Sequence, residues 1–221
     1  MGYRKDQLID GECYHICTKS IAGYKIFNND EEFLRMMGLL QYYQFDKMPV
    51  RFSHFVESIT LENFTHKLKM ISQGKDKIVK IIAFCLMPTH IHCVLQQSSD
   101  SGIARFMANV LIGYSKYFNL RHNRKGPLWE GRFRSIFIKD DDQLLHLTRY
   151  LHLNPTSAGL IHHPEDWRYS SYRQYIDLEN ENCFCEYQDK ISVSQVDYRK
   201  FVEDRMAYQK ELEKIKHVIL E

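Results

Sequence analysis

The chain has 221 residues, 44% of them hydrophobic and 26% charged, the composition of an ordinary globular protein. That length carries one sizeable core, as one domain with an elaboration or as two small ones. The longest apolar run, Ile78 to Met87, is broken by Lys80 and is too short to cross a bilayer. Met1 to Asp6 lacks the apolar stretch of a secretory signal, so a cytosolic protein is expected.

A net charge of +2 says little about partners, but its distribution says more. Between Tyr114 and Lys139 the cations are Lys116, Arg121, Arg124, Lys125, Arg132, Arg134 and Lys139, against the single acid Glu130. Tyr114, Tyr117, Phe118, Trp129, Phe133 and Phe137 are interleaved with them. Such a stripe suits single-stranded nucleic acid, since phosphates need cations and splayed bases need flat faces. A solvated helix end whose aromatics face the core explains it equally well. Six cysteines form no C-x-x-C pair. Cys13, Cys17, Cys85 and Cys93 fall in apolar segments and are expected to be buried thiols, while Cys183 and Cys185 have no ligand set around them.

In chain order, the stretch from Gly11 opens as a strand with Tyr14, Ile16 and Thr18 alternating against His15 and Cys17. Asn29-Asp30 caps a helix with Phe33, Met36, Met37 and Leu40 on one face. Pro49 ends that region, and a more polar helix is expected from Ser58 to Ser72, stopped by Gly74. Strands Lys77 to Leu86 and His90 to Gln97 follow, joined by Met87-Pro88-Thr89. Ser101 is expected to cap a helix carrying Ile103, Phe106, Met107, Val110, Leu111 and Tyr114, and Arg132 to Ile138 to form a strand. Asp140 to Asp142 open a helix whose Leu144, Leu147 and Leu151 share a face. This order predicts an α+β, ferredoxin-like fold, an antiparallel sheet with helices packed on one face. Residues 1–176 read as the main domain with an insertion at about 48–77, and 177–221 as an acidic segment that should avoid DNA, ending in a helix from Tyr198 to Leu220.

Two short groups carry chemistry. His90-Ile91-His92 starts a strand, so both imidazoles project from one face and can share a metal ion. Taken alone, an H-x-H pair in a chain with 11 histidines is weak. Tyr150 and Asn154 are neighbours on one helix face, offering a phenol nucleophile and a hard amide oxygen suited to a magnesium-class cation. Tyr24/Asn28 and Tyr42/Asp46 share the spacing, but the first falls in a turn and the second on a core-facing helix. Pro155 argues against a full helical turn at Asn154.

The segments Met87-Pro88-Thr89-His90-Ile91-His92, Leu128-Trp129-Glu130-Gly131-Arg132-Phe133-Arg134-Ser135 and Arg149-Tyr150-Leu151-His152-Leu153-Asn154-Pro155 resemble, in this order, the motifs of single-tyrosine HUH transposases. Gly11 to Ile16, Ala158-Gly159-Leu160, Pro164 to Trp167 and Ser170-Ser171-Tyr172 fit as well, so the resemblance covers about residues 8 to 176 and is nearest the REP-associated branch. It implies a Mg2+ or Mn2+ site made by His90, His92 and Asn154, with Tyr150 as nucleophile forming a 5′-phosphotyrosyl intermediate. It further implies a partner, single-stranded DNA whose imperfect palindromes fold into hairpins, and contacts from the stripe with Trp129, Arg132 and Arg134 foremost. Relatives work as dimers or as monomers, and both fit. The chain departs from the pattern at Thr156-Ser157, at Thr89 and in the 48–77 insertion, which leaves DNA specificity open. Two rivals to a strand transferase are a binding module for DNA or RNA that has lost cleavage and a metal hydrolase of small molecules.

Overall fold

In a computed structural model the described residues are 8–60, 63–179, 183–206 and 208. Four strands form one antiparallel sheet: β1 (Cys13–Lys19), β2 (Val79–Met87), β3 (His90–Gln97) and β4 (Arg134–Phe137), in spatial order β2-β3-β1-β4. With helices α1 (Asp30–Tyr43) and α4 (Gly102–Arg121) as crossovers, this is the expected ferredoxin-like order. The crossover helices α1 and α4 pack on each other, and α4 packs on β2 and β3. The further helix, α5 (Asp141–Ser157), packs on β2 and β3 from the face of His92. Strands β2 and β3 are therefore buried on both faces, and Ile81, Phe84, Leu86, Cys93, Val94 and Leu95 are all fully enclosed. Among the described residues no helix is long and apolar enough to cross a membrane.

The expected caps hold in two places. The Asn29 side chain accepts from Glu32 N, and the Asp140 side chain accepts from Gln143 N. Glu32 reaches back to accept from Asn28 N at 2.7 Å, close to a capping box. Ser101 is a correction. Its φ of 56° leaves its side chain without a capping bond, and Gln97 Oε1 instead accepts from Ile103 N at 3.3 Å.

The insertion also differs from expectation. It holds two helices, α2 (Phe52–Glu57) and α3 (Phe64–Ser72), instead of one from Ser58. Ser58 closes a helix here: its Oγ donates to Phe55 O and its N–H returns to Phe55 O. The i, i+3 spacing of Phe52 and Phe55, both buried, was the signal for α2. Strand β4 is shorter than 132–138. Ladder bonds resume upstream, with Glu130 N donating to Lys19 O and Ile21 N to Leu128 O, so residues 131–133 bulge outward from the sheet edge.

After a short helix α6 (Tyr172–Tyr175), the described part of the segment beyond 176 joins the same core through Cys185, Tyr187, Ile191, Tyr198 and Val202. Helix α7 (Gln195–Glu203) starts under a Ser194 cap and gives way to a turn at Asp204. Apart from 204–206 and 208, the remainder of the expected Tyr198–Leu220 helix lies outside the described residues. All six cysteines are free; Cys13, Cys85, Cys93 and Cys185 are buried, Cys17 is half-buried and Cys183 exposed.

Gly102 opens α4 against the chain entering β2, where an added Cβ would lie 2.1 Å from Ile78 O. Backbone cannot yield as a side chain tip does, so Gly102→Ala should destabilise the fold by about 2 kcal/mol or more. Urea unfolding of the variant against wild type checks this, and equal midpoints would contradict it.

Candidate active site

The site forms where the start of β3 meets the last turns of α5. Strand alternation puts His90 and His92 on one face, their rings 5.0 Å apart and nearly perpendicular. The Tyr150 ring lies edge-on to His92 at 6.1 Å, and Asn154 follows one turn along the same helix. Tyr150 is half-buried, and Asn154 is 8% exposed. Of the three tyrosines with the right spacing, Tyr42 is sealed in the core and Tyr24 lies under the Arg124 guanidinium. Tyr150 alone stands beside a histidine of the pair.

Pro155 does not break α5, which continues to Ser157. The helix then closes with Gly159 at φ +69°, Leu160 N donating to Pro155 O and Gly159 N to Thr156 O. This left-handed glycine cap recovers carbonyls at the end of the turn that Pro155 was expected to disturb.

Sequence reasoning did not single out His15. It lies on β1 across from Val94, on the face of His92, and its Nε2 is 3.0 Å from His92 Nδ1. The rings stack at 5.2 Å. Only the register of β1 against β3 reveals this neighbour, and no local motif encodes a register. The contact engages Nδ1 of His92 and leaves its Nε2 for a ligand, the arrangement in which an outer partner fixes a ligating imidazole. Thr89 Oγ1 meets His90 Nδ1 at 3.0 Å in the same way.

Burial, then the charges of His90, His15 and Lys19, push the His92 pKa well below its ordinary value, and burial lowers that of His15. Imidazoles held neutral are the form that ligates a metal. Among the described residues no three His, Cys, Asp or Glu gather as a metal cluster. Asn154, 8% exposed and one turn from Tyr150, carries an amide oxygen of the kind that could join two imidazoles around a cation. Two nitrogens and an amide suit a magnesium-class ion better than a thiolate-loving one.

His152 points away from the site and is wholly buried. Its Nδ1 meets Tyr198 Oη at 2.7 Å and its Nε2 meets Ser171 Oγ at 2.8 Å. Ser171 Oγ in turn accepts from Phe84 N of β2, and Tyr198 Oη donates to Thr148 Oγ1 of α5. This chain of bonds fixes α5 to the sheet. The segment Trp167–Tyr172 packs likewise: Trp167 Nε1 donates to Leu86 O, and Leu86 N to Tyr169 O, covering the free edge of β2.

The basic stripe divides in two. Arg121 pairs with Glu31 at 2.6 Å, and Arg124 donates to Asn119, Gly126 O and Pro127 O, so both brace their own loop. Trp129 Nε1 donates to Ser115 Oγ and Leu111 O from a half-buried ring. Lys116, Lys125, Arg132, Arg134 and Lys139 are exposed. A groove of about 640 Å3 runs along α4 between Lys116, Trp129, Arg132 and Phe133.

With this geometry described, relatives become informative. Residues 50–154, which include both histidines, Tyr150 and Asn154, match the family model described as Transposase IS200 like. The region that carries the site is thus similar to IS200-like transposases, the resemblance its motif order suggested. More particularly, the similarity is to REP-associated tyrosine transposases. A Haemophilus influenzae protein assigned to that group is 27% identical over 108 residues, 44% of this chain and 61% of the relative. The REP-associated tyrosine transposase of Escherichia coli K12 is 24% identical over 109 residues, 48% of this chain and 62% of the relative. The matches thus span about three fifths of the length of either curated relative. A solved structure of a REP-associated tyrosine transposase bound to a REP hairpin superposes with a TM-score of 0.54 at 16% identity, covering 85% of this chain and 93% of that one. At that identity the likeness is one of fold.

Burial lowers the His152 pKa from 6.5 to about 3. Between those values the unfolded chain takes up a proton that the folded chain refuses. Stability present above pH 6.5 should therefore fall as pH drops, by about 1.4 kcal/mol per unit from this residue. His15 and His92 act in the same direction in metal-free protein. Urea midpoints measured from pH 7.5 to 5 should decline, and less steeply in His152→Asn; a flat wild-type profile would refute this.

Proposed function

We propose that the chain cleaves and rejoins single-stranded DNA with Tyr150 as the nucleophile. The observation that carries this reading is the convergence of Tyr150 on the face of the His90/His92 pair from a separate, firmly anchored helix. His90, His92 and Asn154 would hold Mg2+ or Mn2+, which when bound polarises a phosphate and offsets the charge of its displacement. Tyr150 Oη attacks the phosphorus, the P–O3′ bond breaks, and the leaving oxygen gains a proton as a free 3′-hydroxyl. The product is a 5′-phosphotyrosine ester, whose bond energy is recovered when a 3′-hydroxyl attacks in turn, so ATP is not required.

The substrate class follows from the exposed cations and the family. The solved relative holds a REP hairpin, and a hairpin with single-stranded flanks suits the exposed part of the stripe, with Lys116, Arg132, Arg134 and Lys139 on phosphates. All four proposed site residues are held together within one chain, which supports a monomer as sufficient for the chemistry. Dimerisation would add DNA capacity without completing the chemistry.

Wild-type protein with a labelled hairpin oligonucleotide and Mn2+ should form a covalent adduct that survives denaturing gel electrophoresis. Tyr150→Phe should lose it by at least ~1000-fold while still binding the hairpin; a persistent adduct would end the assignment. His92→Ala should weaken Mn2+ binding at least ~10-fold by electron paramagnetic resonance in the absence of DNA. Unchanged Mn2+ affinity would remove these histidines from the metal site.

A further inference from the structure

The sheet register reveals cations on the catalytic face that the paired histidines do not use. On β1, residues 15, 17 and 19 share the face of His90 and His92, with Lys19 directly across from His90 and Cys17 across from His92. On the other side of β1, Arg134 of β4 stands across from Cys17. One row thus reads His92, Cys17, Arg134, and the next row, nearer the strand end, reads His90, Lys19. Opposed residues in such a ladder carry Cβ atoms about 5 Å apart. The Lys19 stem is therefore long enough to bring its ammonium in front of either imidazole.

The charges behave accordingly. After burial, His90 and His15, Lys19 is the next influence holding the His92 pKa down. Burial raises the Cys17 thiol, whereas Lys19 and Arg134 both act to lower it and Glu130 to raise it. Lys19 and Arg134 are exposed, and among the described residues neither has a carboxylate within ion-pair distance. Arg121 and Arg149 contrast with them, the first paired with Glu31 and the second stacked at 4.0 Å on Phe201. Two cations without a carboxylate partner, beside the imidazoles proposed as metal ligands, would repel an incoming metal ion, and an anion that bridges them would remove that cost.

We propose that Lys19 is a phosphate-binding residue of this site, holding the phosphate next to the one Tyr150 attacks, with Arg134 taking a further phosphate along the same strand. Two residues along β1 and one strand across, the two Cα atoms lie roughly 8 Å apart, a span that long side chains can adjust to a flexible backbone. The proposal rests on the strand-transfer reading above and adds to it a path: single-stranded DNA runs from the start of β3 over β1 to β4, alongside α5.

The test uses full-length Lys19→Met, an exposed substitution checked for wild-type melting temperature, with oligonucleotides carrying one uncharged methylphosphonate at each position around the cleavage point. Adduct formation should fall 10- to 100-fold in Lys19→Met. One methylphosphonate position should slow wild type by a similar factor while leaving Lys19→Met unchanged. Wild-type rates in the variant, or losses that multiply at every position, would overturn the proposal. Binding decides it independently of cleavage: the slope of log Kd against log salt should flatten by about 0.7 in Lys19→Met, and an unaltered slope would refute the contact. Absence of an adduct with wild type would instead count against the Tyr150 assignment and leave the salt-slope result to judge Lys19.

Discussion

Helix α5 shares no ladder with the sheet, so the position of Tyr150 over β3 depends on side chains, and His152 is central among them. Both of its nitrogens are engaged, one by Tyr198 and the other by Ser171, and Ser171 reaches the β2 backbone at Phe84. A buried imidazole without those partners would cost several kcal/mol, so the arrangement is unforgiving of any sliding of α5. Around it Tyr172, Tyr175 and Tyr198 pack their rings at 4.8–5.7 Å. The fold thus places these packed rings on the helix that carries Tyr150, two residues from it, and so fixes the distance of Tyr150 to the histidine pair.

On the opposite side of that helix the requirements reverse. His92 and His15 have their pKa values lowered, chiefly by burial, and exposed Lys19 and Arg134 lie beside them on the sheet. On the proposed function, such a face would attract a bare cation weakly and a polyanion strongly, so metal and DNA would favour each other's binding. The loop that follows α4 serves the same end at longer range. Glu32, fully buried, accepts from His122 and Asn28 and lies 3.6 Å from Arg121, tying the start of the basic loop to the first turn of α1. Part of the stripe therefore shapes the loop, and Lys116, Lys125, Arg132, Arg134 and Lys139 stay exposed.

Local chemistry made the fold largely legible. Asn29 and Asp140 cap where an oxygen before an apolar period should, and the strand alternation at His90 and His92 holds. What escaped depended on partners distant in sequence. Ser58 looks the same whether it opens a helix or closes one, and only Phe55 O decides. Pro155 argued for a break, but Gly159 supplies the cap that lets α5 finish past it. His15 and Lys19 were invisible because their relevance lies in a strand register; the Glu31 partner of Arg121 lies 90 residues away, and the acceptors of Arg124 depend on how its own loop turns. Cations can be counted in a sequence, but which of them are unpaired cannot.

The bond between Tyr198 and His152 joins residues 46 apart, and the hydroxyl arrives last. At ribosomal rates of roughly 5–20 residues per second, α5 is out for a few seconds before its latch has been made. During that interval the phenol of Tyr150 is present without the clamp that aims it. A nascent chain, or one broken off before this tyrosine, carries His90, His92, Tyr150 and Asn154 yet lacks the bond that fixes α5, so the geometry around Tyr150 is complete only once residue 198 has been made.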